Sequence, residues 1–269
     1  MEAALESTES AVEAWASWRG ERVVRARAPY GPLALTGTWW LDEQRANGWA
    51  LPGRWTVDEQ AGKVTLTAAR HDGIAVDDAP LEGEVRLCPD EGPGAPRVSQ
   101  GGRLLQLIVR EDRYAVRVFD PASRARSAFA GIAAFPYDPS WAVPARYVPF
   151  PAEGPVRVLH SDGRRRATVL AGELTFRRGA QAHAVAVQRA ADGALSVSMA
   201  DATRAGEACG FRVVEVPAPD ADGRTLVDFN RAALPPSAFA DHFTCPLPTE
   251  GNTLGFPVAA GERRLLRHR

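Results

Sequence analysis

Leu105-Gln-Leu-Ile-Val-Arg-Glu-Asp-Arg-Tyr-Ala-Val-Arg-Val-Phe119 holds two short apolar runs, Leu105 to Val109 and Tyr114 to Phe119, around the polar turn Arg110-Glu-Asp-Arg113. Runs of this length, rich in branched and aromatic side chains and joined by a tight charged turn, predict an antiparallel hairpin. The theme recurs on both sides. Val64, Leu66 and Ala68 alternate with Lys63, Thr65 and Thr67, and strand-like runs follow at 167–176, 183–187 and 195–199. Asp162-Gly163, Arg178-Gly179 and Asp192-Gly193 supply the turns. Many short strands at close intervals predict a mostly β chain, built as an antiparallel sandwich or barrel. No long βαβ pattern occurs and no G-x-G-x-x-G opens a helix, which disfavours a dinucleotide-binding fold.

One helix is expected, over Ala3 to Trp18, where Ala4, Val12, Trp15 and Trp18 fall near helical spacing and Glu2, Glu6, Glu9 and Glu13 stay polar. The stretch from Phe135 to Pro155 is rich in proline, which lacks the donor that a central strand uses. It is therefore expected as a crossover between two β-rich halves. The expected organisation is a helix over 1–20, a first half over 21–134, the crossover over 135–155 and a second half over 156–269.

The 269 residues are 45% hydrophobic, enough for a substantial core, and carry a formal net charge of −1. No broad basic field is available for phosphate backbones, so no nucleic-acid partner is expected. Lys63 is the one lysine, in a strand-like run, which argues against an aldimine-forming cofactor. Cys88, Cys209 and Cys245 are sparse and show no CxxC spacing, and the five histidines show no ligand spacing, so neither a disulfide framework nor a metal site is expected. The acidic first residues lack a signal-peptide pattern, and no apolar run approaches the roughly 20 residues of a membrane helix. A cytoplasmic location, with no membrane partner and no cofactor, is the expectation.

The segment from Asp228 to Asn252 stands apart. It has little periodicity and several prolines, yet keeps Phe229, Phe239 and Phe243. A stiff, partly buried loop on a β scaffold is a common place for a site. Its polar members supply the candidates. Asp228, His242, Glu262 and Cys245 are the candidate acid, base or nucleophile groups, and Arg212 and Asn230 would hold developing negative charge. Asp201, Thr203, Arg212, Asn230, Thr244 and Trp40 are the candidate substrate-binding residues. The competing reading is structural: Asp228 and Asn230 cap turns, Thr244 and Cys245 fill a small core, and Asp201 with Arg212 forms a buried ion pair. Ser140 and Ser237 lack a nucleophile-elbow context. Arg164-Arg165-Arg166 reads as a solvated hairpin tip.

These motifs resemble the bacterial proteins grouped as domain of unknown function 1684. The resemblance lies in D-F-N-R-A at Asp228 to Ala232, P-P-x-A-F at Pro235 to Phe239, T-C-P-L-P at Thr244 to Pro248, Asn252-x-Leu254, and A-G-E at Ala260 to Glu262. Weaker matches are Asp201 and Thr203 with Arg212, then Arg110, Arg117 and Asp120, Phe129 with Gly131, Trp141, Ala145-Arg146, Trp18-Arg19, and Gly37 to Leu41. Leu234, Ser237, Ala208-Cys209 and His242 depart from the family pattern, which implies a divergent member with a remodelled site. The resemblance implies a fold and a site location but no reaction. The run from Gly48 to Leu81 also resembles a forkhead-associated-like sandwich, without the residue pairs by which such domains read phosphothreonine. That likeness implies fold alone.

Three functions follow as expectations. The first is a cofactor-free enzyme doing acid–base work (hydrolysis, elimination or cyclisation) on a small molecule in a hollow where the C-terminal motif groups converge with Arg212. The second is a non-catalytic module that binds a small molecule or peptide in an aromatic groove of Trp39, Trp40, Trp49 and Trp55. The third is a structural partner protein, with a homodimer as one form. A concave pocket at the tryptophans would favour binding, and one at the C-terminal segment would favour catalysis.

Overall fold

The computed structural model describes residues 2–43, 51–89, 96–204 and 209–268. Trp49 and Ala208 lie outside them. The chain is mostly β and divides into two units, one of residues 26–127 and the other of residues 1–25 with 128–269.

The 26–127 unit holds β1 (Leu35–Trp40), β2 (Arg54–Asp58), β3 (Lys63–Ala68), β4 (Ile74–Val76), β5 (Ala79–Pro80), β6 (Gly83–Leu87), β7 (Val98–Gln100), β8 (Arg103–Arg110) and β9 (Arg113–Phe119). Six strands form one sheet in the order β1-β9-β8-β7-β4-β5, and β2-β3-β6 form another. The quoted hairpin is β8–β9, paired antiparallel from Leu104↔Phe119 to Arg110↔Arg113. Alternation places Trp55, Val64 and Leu66 from the small sheet with Leu105, Val116 and Val118 from the large one in a single core.

The other unit holds α1 (Glu2–Arg27), the greater part of it before residue 26, and β10 (Phe129–Ala134), β11 (Ala142–Leu159), β12 (Arg165–Arg178), β13 (Gln181–Arg189), β14 (Leu195–Asp201), β15 (Arg212–Val216), β16 (Arg224–Asp228), β17 (Thr253–Leu254) and β18 (Glu262–Arg267). The main sheet runs β15-β14-β13-β12-β11-β16, with β17 parallel on β14, and β10 pairs β18. Beyond β16 the chain returns to the opposite edge, where Ala233 and Val213 exchange both backbone hydrogen bonds at 2.8 and 2.9 Å. The enclosed core includes Trp141, Phe176, Val187, Val197, Val214 and Phe229.

Two expectations are corrected here. The proline-rich stretch is largely the long strand β11, paired with both β12 and β16. Its prolines sit where one side of the ladder is open. Pro144 precedes the first β12 pair, the register shifts between Pro149 and Gly154, and Pro155 lies past Arg146, where β16 pairing has ended. The helix continues beyond Trp18 to Arg27, since one interior glycine costs only about 1 kcal/mol and tertiary anchors outweigh it. Its inward stripe is Ala11, Trp15, Trp18, Arg19 and Arg22, whereas Val12 is 39% exposed. No helix among the described residues is long and apolar enough to cross a membrane.

Candidate functional site

The C-terminal motifs fold into a buried polar frame. Asp201 ends β14 and Arg212 opens β15, and both side chains are fully sealed from solvent. Arg212 Nη2 donates to Asp201 Oδ2 at 2.5 Å and to the Val258 carbonyl at 3.0 Å, while Nη1 donates to the Ala260 carbonyl. Asp201 Oδ1 accepts from the Thr203 amide at 2.8 Å, the Thr203 hydroxyl at 2.5 Å and the Val258 amide at 3.2 Å. Burial pushes the Asp201 carboxyl up, but the Arg212 charge and the hydrogen bonds outweigh it and hold it below the usual carboxylate range.

Glu262, at the start of β18, is as deeply buried. Arg22 of α1 meets it with two parallel bonds of 2.8 Å and also donates to the Leu234 carbonyl. The Leu234 amide donates to Glu262 Oε2 at 2.7 Å. Asn230 is fully buried: its amide group accepts from the Asp138 amide and donates to the Asp138 carbonyl and to Asp228 Oδ1, all within 3.0 Å. The Trp15 indole donates to the Asn230 carbonyl at 3.0 Å. Asn252 wedges between β13 and β14, which pair only at Gln188 and Arg189. It accepts from the Ala186 amide and donates to the Ala186 and Ser198 carbonyls.

The expected shared hollow is therefore corrected. Asp201, Thr203 and Arg212 form one cluster, joined by the Glu262 backbone, and Asp228 with Asn230 forms a second. Thr244 and Cys245 lie elsewhere, strapped to the end of β11: His160 Nδ1 meets the Thr244 carbonyl, and Ser161 exchanges bonds with the Cys245 backbone. His242 is exposed. Trp40 belongs to the other unit, beneath the Arg113 guanidinium at 4.6 Å. The physical reason is valence: with so many backbone donors and acceptors freed by short irregular turns, the buried side chains are consumed in satisfying them. Asp228 departs from this pattern, with its side chain 22% exposed and Oδ2 paired with Arg231 at 3.6 Å. Among the described residues no cluster of His, Cys, Asp and Glu is arranged to hold a metal.

An open groove lies within the 26–127 unit. It has a volume of about 400 Å³ and is lined by Leu41, Trp55, Val57 and Tyr114 with Asp42, Arg54, Thr56, Glu59, Asp112 and Arg113. Trp55 is its buried floor, the indole donating to the Pro52 carbonyl at 3.0 Å. Arg113 donates to Asp42 at 2.6 and 2.9 Å and to Glu43 at 2.7 Å, and the hydrogen bonds that Asp42 accepts help to raise its pKa above the usual arginine value. Asp112 sits in the hairpin turn, where Glu111 and Asp112 take φ of +48° and +62°. Sequence reading reached Trp55 but not the charged lining. An acidic Glu-Asp pair, where such a turn usually has Asn-Gly, was the available signal.

An uncharacterized protein of Haloarcula marismortui, solved by solution NMR, is similar at 32% identity, over 50% of this chain and 77% of its own, with a TM-score of 0.42. No curated protein matches. The family model described as protein of unknown function (DUF1684) matches residues 127–263, the span that contains Asp201, Arg212, Asn230, Asn252 and Glu262, while their partners Trp15 and Arg22 come from α1. By that match the chain belongs to the DUF1684 family.

Proposed function

We propose that this protein is a small-molecule or short-peptide binder, with the groove of the 26–127 unit as its recognition surface and the C-terminal motifs as a rigid frame. The supporting observation is the groove itself: its volume falls within the ~300–1,000 Å³ usual for ligand sites, and its lining combines apolar and aromatic side chains with charged ones. The test is a fragment screen on the full-length protein, read by amide chemical shifts. Shifts gathering at 54–59 and 112–114 support the reading. Shifts gathering at 201, 228–231 and 262 overturn it.

A second reading keeps acid–base turnover of a small molecule, with Asp228 as the proton carrier. It rests on the partial exposure of Asp228, whose Oδ1 is fixed by Asn230 while Oδ2 keeps a long ion pair of 3.6 Å with the half-exposed Arg231. Under this reading Asp228→Ala abolishes hydrolysis of activated esters and leaves the melting temperature within a few degrees. A variant that instead melts far earlier assigns Asp228 to the frame.

A further inference from the structure

Asn252 parts two strands, and a small hollow lies where they part. Val187 of β13 and Val197 of β14 turn into the core, so Gln188 and Ser196, a direct cross-strand pair, turn together to the other face. The next facing positions, Ala186 and Ser198, are not paired. The Asn252 side-chain amide stands between them and takes the Ala186 amide, the Ala186 carbonyl and the Ser198 carbonyl. Upstream of Asn252 the chain is tied down again, with the Leu247 amide donating to the Leu159 carbonyl at 2.8 Å and Pro246 bridged to His160. The T-C-P-L-P motif is thus one anchor of a strap, and Asn252 is the other.

Gln188, Ser196, Ser198, Thr249 and Asn252 line the hollow together with Thr168 of β12, and Pro246 and Leu247 border it from the strap. Among the described residues no charged side chain lines it. Thr168 is only 8% exposed, yet its hydroxyl makes no hydrogen bond to a described residue, and the same holds for the side chains of Gln188, Ser196, Ser198 and Thr249. The hollow leaves about 10 Å³ for the centre of a water molecule. A water needs about that much room and two to four polar partners. We infer that this hollow is a binding site for one ordered water, held by the Thr168 hydroxyl and by the side chains of Gln188, Ser196 and Ser198, and that this water joins β12, the parted strands and the strap. A buried hydroxyl without a partner is costly, and water both donates and accepts, so it suits a ring of hydroxyls and an amide that can turn to meet it. An ion would find no opposite charge there.

This site does not depend on the groove of the 26–127 unit being a ligand site. The test is a crystal structure of the full-length protein, at a resolution that shows ordered water, beside those of Thr168→Val and Thr168→Ser, with thermal unfolding of all three. Valine keeps the shape of threonine and removes the hydroxyl. The wild type and Thr168→Ser are expected to show a water peak within hydrogen-bond distance of residue 168 and of at least one of Gln188, Ser196 and Ser198. Thr168→Val is expected to lose the peak and to melt about 2–4 °C lower, because a hydrogen-bonded partner is gone. A dry hollow in the wild type overturns the inference. So does a Thr168→Val variant that keeps the peak, or one that melts at or above the wild-type temperature, since removing a hydroxyl that binds nothing relieves a cost rather than adding one.

Discussion

Gly261 has a φ of +78°, and a Cβ on it would lie 2.5 Å from the Ala232 carbonyl oxygen and 2.8 Å from that of Phe229. Left-handed backbone disfavours a side chain by about 1–2 kcal/mol, and overpacking adds about 1–3. Gly261→Ala is therefore expected to lower stability by about 2–5 kcal/mol in urea unfolding; an unchanged midpoint would show that the A-G-E turn relaxes freely. Its neighbours explain the constraint, since Ala260 receives Arg212 and Glu262 receives Arg22. The acid response follows from Asp201. Its folded carboxyl titrates below the unfolded value of about 3.9. The unfolded chain therefore binds the proton first on acidification. This stabilisation is complete above the unfolded value and is lost as pH falls through the folded one. Asp162, whose burial is outweighed by its pairing with Arg166, adds in the same direction. Unfolding free energy measured from pH 6 to pH 3 should fall steeply below about pH 4, and a flat profile would contradict it. The identities of these residues were legible in the sequence as motifs. Their valence was not, because whether a carboxylate is open or saturated depends on partners such as Arg22 that lie far along the chain.

At the scale of elements, strands were legible wherever apolar residues alternate between turn signals, as in β3, β8, β9 and β14. The strand β11 was not, because proline's missing donor argues against a strand unless the open sides of the ladder are known, and those are set by β12 and β16. Helix length was hidden for a similar reason: Arg22 looks like a surface charge until Glu262 is placed beside it. The β8–β9 turn carries a testable cost. Glu111 and Asp112 occupy left-handed backbone that Asn-Gly adopts more easily. Glu111→Asn with Asp112→Gly should raise the stability of the 26–127 unit by about 1 kcal/mol in thermal unfolding. An unchanged or lowered midpoint would show that the left-handed turn costs the fold nothing.

For the whole molecule, the family match and the buried frame fall in one unit and the groove in the other. The sequence showed two β-rich parts but not that the first is an insertion, since its boundaries lie inside α1 and at the end of α2 (Arg124–Ala128) rather than in a linker. The ends of the inserted unit meet, with Arg126 Nε donating to the Arg27 carbonyl at 2.8 Å. Each unit has its own core. The most direct test is a urea titration of Asp201→Asn beside the wild type, read residue by residue by NMR. Removing one charge of a sealed pair costs about 3–5 kcal/mol. The signals of residues 128–268 are therefore expected to unfold at a markedly lower urea concentration, with those of 35–119, the Trp55 indole included, unmoved. An unshifted midpoint for residues 128–268, or an equal shift for both sets, would contradict it.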